Sequence, residues 1–497
     1  MASTFGTYSV AYSGMYVNQA ALTATSTNVA NVDTTGASKV QVTSVAENTV
    51  QSSGTSTNNG VSVASITRSR DIFLDRSYRT QNADATYYSV KSGNLEYMDE
   101  ILGEFDTSTT SDTTSTTTSG VQEAITDFFD SWETLSTDAS TESTREAVTA
   151  AGVDLIEMLT DIDEQLQQLQ ADAVTGVQDG VDSLNDLAEQ VADLNKQITQ
   201  AESGGGEASY LRDQRDALLD EMSALANISV TESNGTLKVT IGGSTLVNGD
   251  TTHELVVEGT GTTDDPLSVK WADSGSTANI SSGSISAYLE DADQTGYETL
   301  DASDIPYDFT TDATSSISTM RQALNVLITT LAIEINSLST SGVDLNGDAG
   351  LDFFTTIDDS QPLSITNIQV NPELVADPDK VVASSSDEGG DNTIADKICD
   401  LDSNTTFYMS DGLSLDIADF YKAVISWIGT AGDNAATSYE TQAALVTQLD
   451  TQRQSVSSIS IDEEMSNMIK FQTAYAASAK VMSTIDGLIG DLIDEFD

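Results

Sequence analysis

Basic residues are scarce in this chain of 497 residues, which has 19 Lys and Arg against 79 Asp and Glu and a formal net charge of −60. Nucleic-acid binding depends on clustered Lys and Arg that neutralise phosphates, and anionic membrane surfaces attract the same side chains. We therefore expect neither nucleic acid nor a membrane as a partner. The acidity is typical of a solvated surface in a salty medium, where repulsion is screened; a specific cation-binding role is the alternative.

Cysteine and histidine each occur once, as Cys399 and His253. A single cysteine excludes an intrachain disulfide, and one Cys with one His cannot build a zinc site of the usual kind. The zinc-protease pattern would need a second histidine where the chain has Val257. The segment that starts at Asp344 resembles a calcium loop, but its glycine is at the fourth position and Thr355 stands at the twelfth. The sequence predicts a protein that is not an enzyme and has no cofactor or metal.

Long apolar runs and a basic leader are also missing. No stretch reaches the ~18 apolar residues that suggest a transmembrane helix, and the start lacks the charged and apolar regions of a secretory signal. On this logic alone the chain is predicted to be cytoplasmic. All five prolines lie between Pro266 and Pro378, so the proline-free ends are expected to be helical and to flank a turn-rich middle.

Both ends of the chain have the pattern of a coiled coil. From Ile461 onward, apolar or small residues follow one another in steps of four and three, after a capping box formed by Ser460 and Glu463. Near the N-terminus, apolar residues recur every seven positions, and the helix is expected to stop at a turn that ends in Gly36. We expect the two helices to pair and to need neighbouring helices to bury their stripes; an ordinary hairpin in a globular core is the alternative. The predicted assembly-interface residues are Met15, Leu22, Val29, Met465, Met468, Tyr475, Met482, Ile485 and Leu492.

The terminal segments resemble the signatures shared by bacterial flagellar rod, hook and hook-associated proteins. The N-terminal signature extends from Ser13 through Asn28 and Asn31 to Gly36, and the C-terminal one from Ile461 to Asp486. Around Gly36 the family usually has a proline and an aromatic residue, whereas this chain has Thr35 and Ala37. This departure concerns the geometry of the turn and not the helices on either side.

Between the ends, the pattern changes several times. Apolar and polar residues alternate weakly over 38–70, which predicts short strands or an extended linker. Residues 71–104 have helical spacing, and 106–120 are a Thr/Ser tract that is expected to be a surface loop. Helical spacing then continues to about Glu202, with a possible interruption at Gly176 and Gly180. Strand patterns follow over 226–312, with Asn234 and Gly235 as a hairpin signal.

The segment 210–222 is the most discriminating part of the chain. As a helix it would place Arg212 and Asp216 four residues apart, which favours a weak surface ion pair. The segment resembles one found in the flagellar hook-associated protein 1 family and generally absent from rod and hook proteins. The residues that match this family signature are Arg212, Asp213, Arg215 and Asp216. Further blocks, such as 241–249, 342–354 and 371–392, resemble the family in the same order along the chain.

The resemblance implies a mainly α fold with inserted β: terminal helices in a coiled coil, a long helical-bundle middle domain and a small β-rich domain projecting from it. The expected division is 1–60 and 456–497 as the two halves of the axial domain, 61–225, 313–340 and 416–455 as parts of the bundle, 226–312 as the β-rich domain and 341–415 as a small mixed segment.

The implied function is that of a hook–filament junction protein that polymerises through its terminal helices. The implied partners are the hook protein, the second hook–filament junction protein, further copies of the chain and an export chaperone on the C-terminal helix, with secretion through the flagellar export channel. One alternative is another axial protein of the flagellum, such as a hook or second junction protein. The other is an acidic surface adhesin or binding module on a flagellar frame, which would keep its assembly but lose partner binding if 226–312 were deleted.

Overall fold

The computed structural model describes residues 4–34, 36–50, 56–103, 120–233, 235–262, 264–294, 307–309, 315–386, 390–404, 407–409 and 414–494. The predicted Thr/Ser loop lies almost entirely outside these ranges, as does Thr35. The helices are α1 Thr4–Ala30, α2 Ile72–Leu102, α3 Val121–Thr137, α4 Glu142–Glu202, α5 Ser209–Leu225, α6 Ser284–Asp291, α7 Ser316–Ser339, α8 Pro372–Ala376, α9 Thr393–Cys399, α10 Ile417–Ser457 and α11 Ile461–Asp494. The predicted terminal helices are therefore confirmed at both ends.

The strands are short apart from the first two. They are β1 Val40–Val50, β2 Ser56–Arg68, β3 Ile228–Ser233, β4 Thr236–Ile241, β5 Ser244–Asn248, β6 Thr251–Thr252, β7 Leu255–Glu258, β8 Ser268–Trp271, β9 Tyr307–Phe309, β10 Phe354–Thr355, β11 Gln369–Val370, β12 Phe407–Met409 and β13 Ser414–Leu415. Two turns of 3₁₀ helix occupy Pro378–Lys380 and Asp400–Ser403.

The region predicted as short strands or a linker is a long antiparallel hairpin, in which β1 and β2 pair from Val40 with Arg68 to Val50 with Ser56. The expected domain boundary between residues 60 and 61 falls within β2; the division into domains stays a prediction. The hairpin packs against α1. At Gly60, which has a φ of +123°, an added Cβ would clash with Ser13, and the Ser13 hydroxyl accepts the Val61 amide at 3.1 Å. Most β1 side chains from Gln41 to Glu47 are exposed, so this strand needs little alternation of apolar and polar residues.

The main hydrophobic core lies among α3, the first half of α4, α7, α9 and the start of α10. Its centre is aromatic: Phe128 and Trp132 of α3 pack against Phe353 and Phe354. These four side chains are completely or almost completely buried. The helical spacing of the aromatic residues in α3 predicted this burial for Phe128 and Trp132. The helical region 121–202 is nevertheless two helices rather than one, because α3 ends at Thr137 and α4 begins at Glu142.

Helix α4 is continuous for 61 residues, so the predicted interruption at Gly176 and Gly180 is wrong. The two glycines instead let α6 approach closely. A Cβ on Gly176 would lie 2.9 Å from the Tyr288 ring, and one on Gly180 would lie 2.8 Å from Ile285. A glycine costs a helix only about 1 kcal/mol relative to alanine, which is small beside the packing that it permits here.

The second half of α4 belongs to a second core, shared with α5, α6 and the sheets. The strands form a four-stranded sheet in the order β3-β4-β5-β6 and a separate β7-β8 pair. The β-rich part is thus built on the long helix. Its expected limit at residue 312 stays a prediction. Strand β9, which lies before that limit, pairs in parallel with β12 of the mixed segment. The rest of the stretch 295–314 lies outside the described residues.

Helix α6 is tied to α2 by a polar cluster. The Asp291 carboxylate is buried and accepts a 2.6 Å hydrogen bond from Asn94 Nδ2, and Lys91 forms an ion pair with Glu290. Burial raises the pKa of Asp291 from 3.8 to about 7, although the Asn94 hydrogen bond acts in the opposite direction. Protonation of this side chain therefore falls within the physiological pH range.

Candidate assembly interface

Helices α1 and α11 pack along each other in opposite directions. The Asn28 side chain contacts Glu464 on α11. Fourteen residues earlier on α1, a Cβ on Gly14 would lie 3.3 Å from the hydroxyl of Ser478, which is fourteen residues further along α11. Because residue numbers increase along α11 as they decrease along α1, the two helices are antiparallel. The chain's two ends therefore form one two-helix rod.

The predicted interface residues lie on this rod, but a single chain buries them only in part. Met15, Leu22 and Val29 are half-buried, as are Met468, Tyr475 and Met482, whereas Ile485 is buried. Met465 remains 46% exposed. The side chain of Leu492 lies outside the described residues. Whether these residues form an interface between copies stays a prediction.

The buried seam of α1 consists of small residues that the heptad of large residues did not identify. Ala11, Ala21, Ala24 and Thr25 are buried there, together with Asn28. Small side chains let neighbouring backbones approach closely, and α1 packs against both α11 and the β1-β2 hairpin. The signal was present in the sequence, since positions 21, 24, 25 and 28 follow helical spacing.

Outside the seam, the rod presents apolar side chains to solvent. On α1, Tyr8, Tyr12 and Tyr16 recur every four residues and are all exposed. On α11, the exposed set is Ile461, Met465, Ile469, Val481 and Leu488, with Ile469 at 62%. Single exposed apolar residues are normal on a surface, but rows at steps of four, as in Ile461, Met465 and Ile469, are typical of an interaction surface. Val481 and Leu488 lie on the other side of the buried face of α11. We call the exposed apolar side chains of α1 and α11 together the stripe.

Asn28 joins the rod to the hairpin. Its side-chain oxygen accepts the Val40 amide at 2.9 Å, and its Nδ2 donates to the Val40 carbonyl at 2.9 Å and to Glu464 Oε2 at 3.0 Å. Asn28 and Glu464 are both buried, so these groups would be costly to leave unpaired. The family-signature asparagine is therefore a connection among α1, β1 and α11.

Lys39 strengthens the same connection. Its Nζ lies 2.9 Å from Glu463 and 3.5 Å from Glu464, and its backbone amide donates to the Ser457 carbonyl at 2.8 Å. Burial lowers the pKa of Lys39, but the two glutamates outweigh it and raise the pKa above its ordinary value. No capping bond between Ser460 and Glu463 occurs among the described residues, so the predicted capping box is not formed.

The predicted turn after α1 is confirmed. Asn31 Nδ2 donates to the Thr27 carbonyl at 3.0 Å, and Gly36 has a φ of +79°, a conformation that glycine adopts without strain. Two residues beyond Gly36, the Ser38 amide and hydroxyl donate to the Asp213 carboxylate at 3.0 and 2.6 Å. The two family signatures, far apart in sequence, therefore meet.

Asp216 lies at the centre of a buried ion-pair network. Its carboxylate is 2.8 Å from Arg68, 3.4 Å from Arg70 and 3.5 Å from Arg79. Burial alone would raise the pKa of Asp216, but these guanidinium groups hold it below its ordinary value. The expected ion pair between Arg212 and Asp216 is wrong, because tertiary partners on β2 and α2 take the place of the local one.

The network extends to the helix that leads into α11. Arg453 of α10 lies 2.9 Å from Asp75 and 2.6 Å from Asp220, and Arg79 lies 2.7 Å from Asp220. The charges thus join β2, α2, α5 and α10. We call this set, with Asp216 and its three arginines, the Asp216 network.

Arg212 and Arg215 have a separate set of partners. Arg212 lies 2.6 Å from Glu202 and 2.9 Å from Glu232, and its hydrogen bond to Glu202 raises its pKa. Arg215 donates to Asn195 at 2.9 Å and to Glu232 at 3.0 Å, while burial lowers its pKa. These arginines therefore fasten α5 to the end of α4 and to β3.

The described residues contain no cluster of three or more His, Cys, Asp and Glu that could hold a metal ion. None of the helices described here is both long and apolar enough to cross a membrane. His253 is exposed, with its Nδ1 2.6 Å from an Asp273 carboxylate oxygen. The arrangement at the base of the rod is suited to holding helices at a fixed angle, since its charged groups are directed at one another.

Two family models match the chain. The flagellar hook-associated protein FlgK helical domain matches residues 107–354, and the flagellar basal body rod FlgEFG protein C-terminal family matches 451–495. Together they cover more than half of the sequence. The second match spans the end of α10 and nearly all of α11.

Curated relatives match over almost the whole chain. Flagellar hook-associated protein 1 of Bacillus subtilis is 29% identical, with 99% of each chain covered. The protein of the same name from Escherichia coli is 27% identical, with 97% of this chain and 98% of its own length covered. The solved structure of the flagellar hook junction protein FlgK from Burkholderia pseudomallei has the same fold, with a TM-score of 0.59, 16% identity, and 77% of this chain and all of its own chain covered. The chain belongs to the flagellar hook-associated protein 1 family.

Proposed function

We propose that this protein is a non-enzymatic building block of the hook–filament junction, and that it polymerises through the rod formed by α1 and α11. The observation that carries the proposal is the apolar stripe that one chain leaves exposed on this rod. Membership of the family makes the chain a component of the flagellum at the hook–filament junction. Self-association through the stripe, with the hook protein on one side and the second junction protein on the other, is the proposed mechanism.

Burial of the stripe can drive assembly. A large apolar side chain that leaves water contributes about 1.5 to 3 kcal/mol. Residues such as Tyr12, Ile469 and Leu488 are exposed in one chain, so several of them buried between copies would offset the entropy lost on association. The small-residue seam keeps α1 and α11 together before assembly, so that each copy adds a preformed rod.

The joint at the base of the rod gives the assembly its stiffness. Asn28, Lys39 and the Asp216 network connect the rod to the hairpin and to α2, α5 and α10 through bonds between buried groups. Buried ion pairs with several hydrogen bonds fix geometry, since any other orientation leaves a charge unpaired. An axial protein must transmit torque between its neighbours, and a fixed angle at this joint serves that purpose.

Export through the flagellar channel, with a chaperone that covers the C-terminal helix until then, is part of the proposal. The exposed face of α11 is the surface that such a chaperone would protect from premature association. With Cys399 as its single cysteine, the chain has no intrachain disulfide to break before passage. In this arrangement the terminal regions form the inner tube, the bundle its wall and the β-rich part an outward projection.

The test is to place charges on the stripe. Ile469→Asp and Leu488→Asp are expected to fold normally, because both side chains are exposed in the single chain, and to abolish filament attachment. Ile357→Asp is the matched control, since Ile357 is equally apolar and 64% exposed but lies in the mixed segment. The readouts are attached filaments counted by electron microscopy and the amount of the chain in isolated flagella. Stripe variants that assemble as well as the control would overturn the proposal.

A further inference from the structure

The arginines of this acidic chain are concentrated in one place. Six of them line a cavity of about 430 Å³ between α2, α5 and the β3-β4 hairpin, whereas four carboxylates line it. The six are Arg68, Arg70, Arg76, Arg79, Arg212 and Arg215. The whole chain has only nine arginines and a formal charge of −60. Five of the six form ion pairs with carboxylates of the lining or with Asp213, Asp220 and Glu202 next to it, so most of this positive charge is balanced within the chain. Arg76 is the sixth.

Arg76 differs from the other five arginines in its partners. Among the described residues, no carboxylate lies within ion-pair distance of the exposed Arg76 guanidinium. Arg215 Nε is buried and has no hydrogen-bond acceptor in the part of the chain that the structure describes. By contrast, Arg68 and Arg79 each have carboxylates at 2.8 Å or less.

Apolar side chains lie next to the Arg76 guanidinium. Ile72 and Phe73, in the first turn of α2, are 75% and 72% exposed, the highest values among the large apolar side chains described. Ile72 is at the cavity mouth, as is Arg76 one turn later. The opposite wall of the cavity adds Ile228 and Val230 of β3, which are half-buried. Exposed apolar residues grouped beside charge are typical of a protein–protein contact.

We propose that Ile72, Phe73, Arg76 and the cavity mouth form a second contact surface, the α2 docking surface, which receives an acidic, apolar-edged face of another copy of this chain. The inference rests on the proposed polymerisation, which brings copies side by side. Charge complementarity identifies the occupant, because a second copy, with a formal charge of −60, offers carboxylates to the Arg76 guanidinium. The start of α11 shows the required chemistry, with the exposed Asp462 beside the exposed Ile461.

Arginine suits this contact for two reasons. Its guanidinium stays charged at every relevant pH and can bind a carboxylate with two hydrogen bonds. In concentrated salt, long-range attraction is screened, so only groups in direct contact continue to interact. The adjacent Ile72 and Phe73 supply apolar burial that salt does not weaken.

The experiment is photo-crosslinking in assembled flagella. Cells produce the full chain with p-benzoylphenylalanine in place of Phe73, a substitution that keeps an aromatic side chain. Flagella are isolated and irradiated, and crosslinked peptides are identified by mass spectrometry. In parallel, Arg76→Glu is compared with Lys196→Glu, a matched charge reversal at an exposed α4 residue with no described carboxylate in ion-pair range.

The inference expects crosslinks from position 73 to an acidic segment of a second copy, and at least tenfold less Arg76→Glu than Lys196→Glu protein in the flagella. Crosslinks only to other proteins, or no crosslinks together with equal incorporation of both charge variants, would overturn it. Those results leave the proposed function intact as long as the unmodified chain is present at the junction. Absence of the unmodified chain from isolated flagella would instead overturn the proposed function.

Discussion

Removing the Asp216 charge is the sharpest perturbation of the joint between the rod and the bundle. Asp216→Asn keeps the size of the side chain but replaces the one carboxylate that Arg68, Arg70 and Arg79 share. The three guanidinium groups are largely shielded from solvent. They would then lose a common counter-charge while remaining close to one another.

The cost follows from the burial. Removing one partner of a buried ion pair costs about 3 to 5 kcal/mol, because the other charges remain desolvated. Asp213, Asp75 and Asp220 still compensate part of the positive charge, so we expect about 3 kcal/mol. Since every 1.4 kcal/mol is a factor of ten, local opening should become on the order of a hundredfold more frequent.

Hydrogen exchange monitored by mass spectrometry measures this opening locally, which suits a protein of several cooperative units. Amides of α5 and of the paired bases of β1 and β2 should exchange faster, while the aromatic core around Trp132 should not change. Glu258→Gln is the control, since its ion pair with Lys270 is largely exposed and should contribute less than ~1 kcal/mol.

The effect should persist in concentrated salt, because buried charges are screened less than exposed ones. If Asp216→Asn exchanged like the control in α5 and the hairpin base, the network would not stabilise the joint and the reasoning would be refuted.

Three further variants test other parts of the structure. Burial raises the pKa of Asp291 from 3.8 to about 7. The folded state therefore holds a proton that the unfolded state releases, and the free energy of unfolding should fall as pH rises from about 4 to 7. Asp291→Asn should remove this pH dependence and raise the free energy of unfolding at pH 8 by on the order of 4 kcal/mol, measured by urea titration. Gly176→Ala should destabilise by about 1 to 3 kcal/mol because its Cβ would lie 2.9 Å from the Tyr288 ring, whereas Gly429→Ala, in open space on α10, should stabilise by about 0.5 to 1 kcal/mol in the same titration. Asn28→Ala should leave the Val40 amide unpaired and remove one hydrogen bond from Glu464, which keeps Lys39 as a partner, at a cost of about 2 to 3 kcal/mol, seen as faster hydrogen exchange in α1 and β1.

For each of these three predictions, one result would contradict the expected role of the residue. A pH slope that survives in Asp291→Asn would place the titrating group elsewhere. Equal effects of Gly176→Ala and Gly429→Ala would mean that α6 does not press on α4. Unchanged exchange in Asn28→Ala would mean that the rod is held to the hairpin by packing alone.

Local signals in the sequence predicted the helices well. Proline-free stretches with apolar residues in threes and fours gave α7, α10 and α11 nearly to the residue, because helix formation depends mainly on neighbours in sequence. The predicted hairpin is also present, since β3 pairs with β4 and Gly235 between them has a φ of +78°, while Asn234 lies outside the described residues. The family resemblance then supplied the order of these parts along the chain.

Tertiary contacts account for what the sequence did not predict. Asp216 and Arg212 are four residues apart, which suggested a local pair, yet each is bound by residues from other elements. Gly176 and Gly180 suggested a break, but their role depends on α6, more than a hundred residues away. On α1, the seven-residue repeat of large apolar residues did not identify the buried seam of small ones. Periodicity does not reveal whether these residues or the neighbouring small ones are the most buried.

The most direct test of the central claim is a cryo-electron microscopy reconstruction of the hook–filament junction from isolated flagella. We predict that α1 and α11 of neighbouring copies lie side by side in the inner tube, with Tyr12, Ile469 and Leu488 buried between copies. A reconstruction in which this rod faces solvent, or in which the junction forms without this chain, would contradict the account.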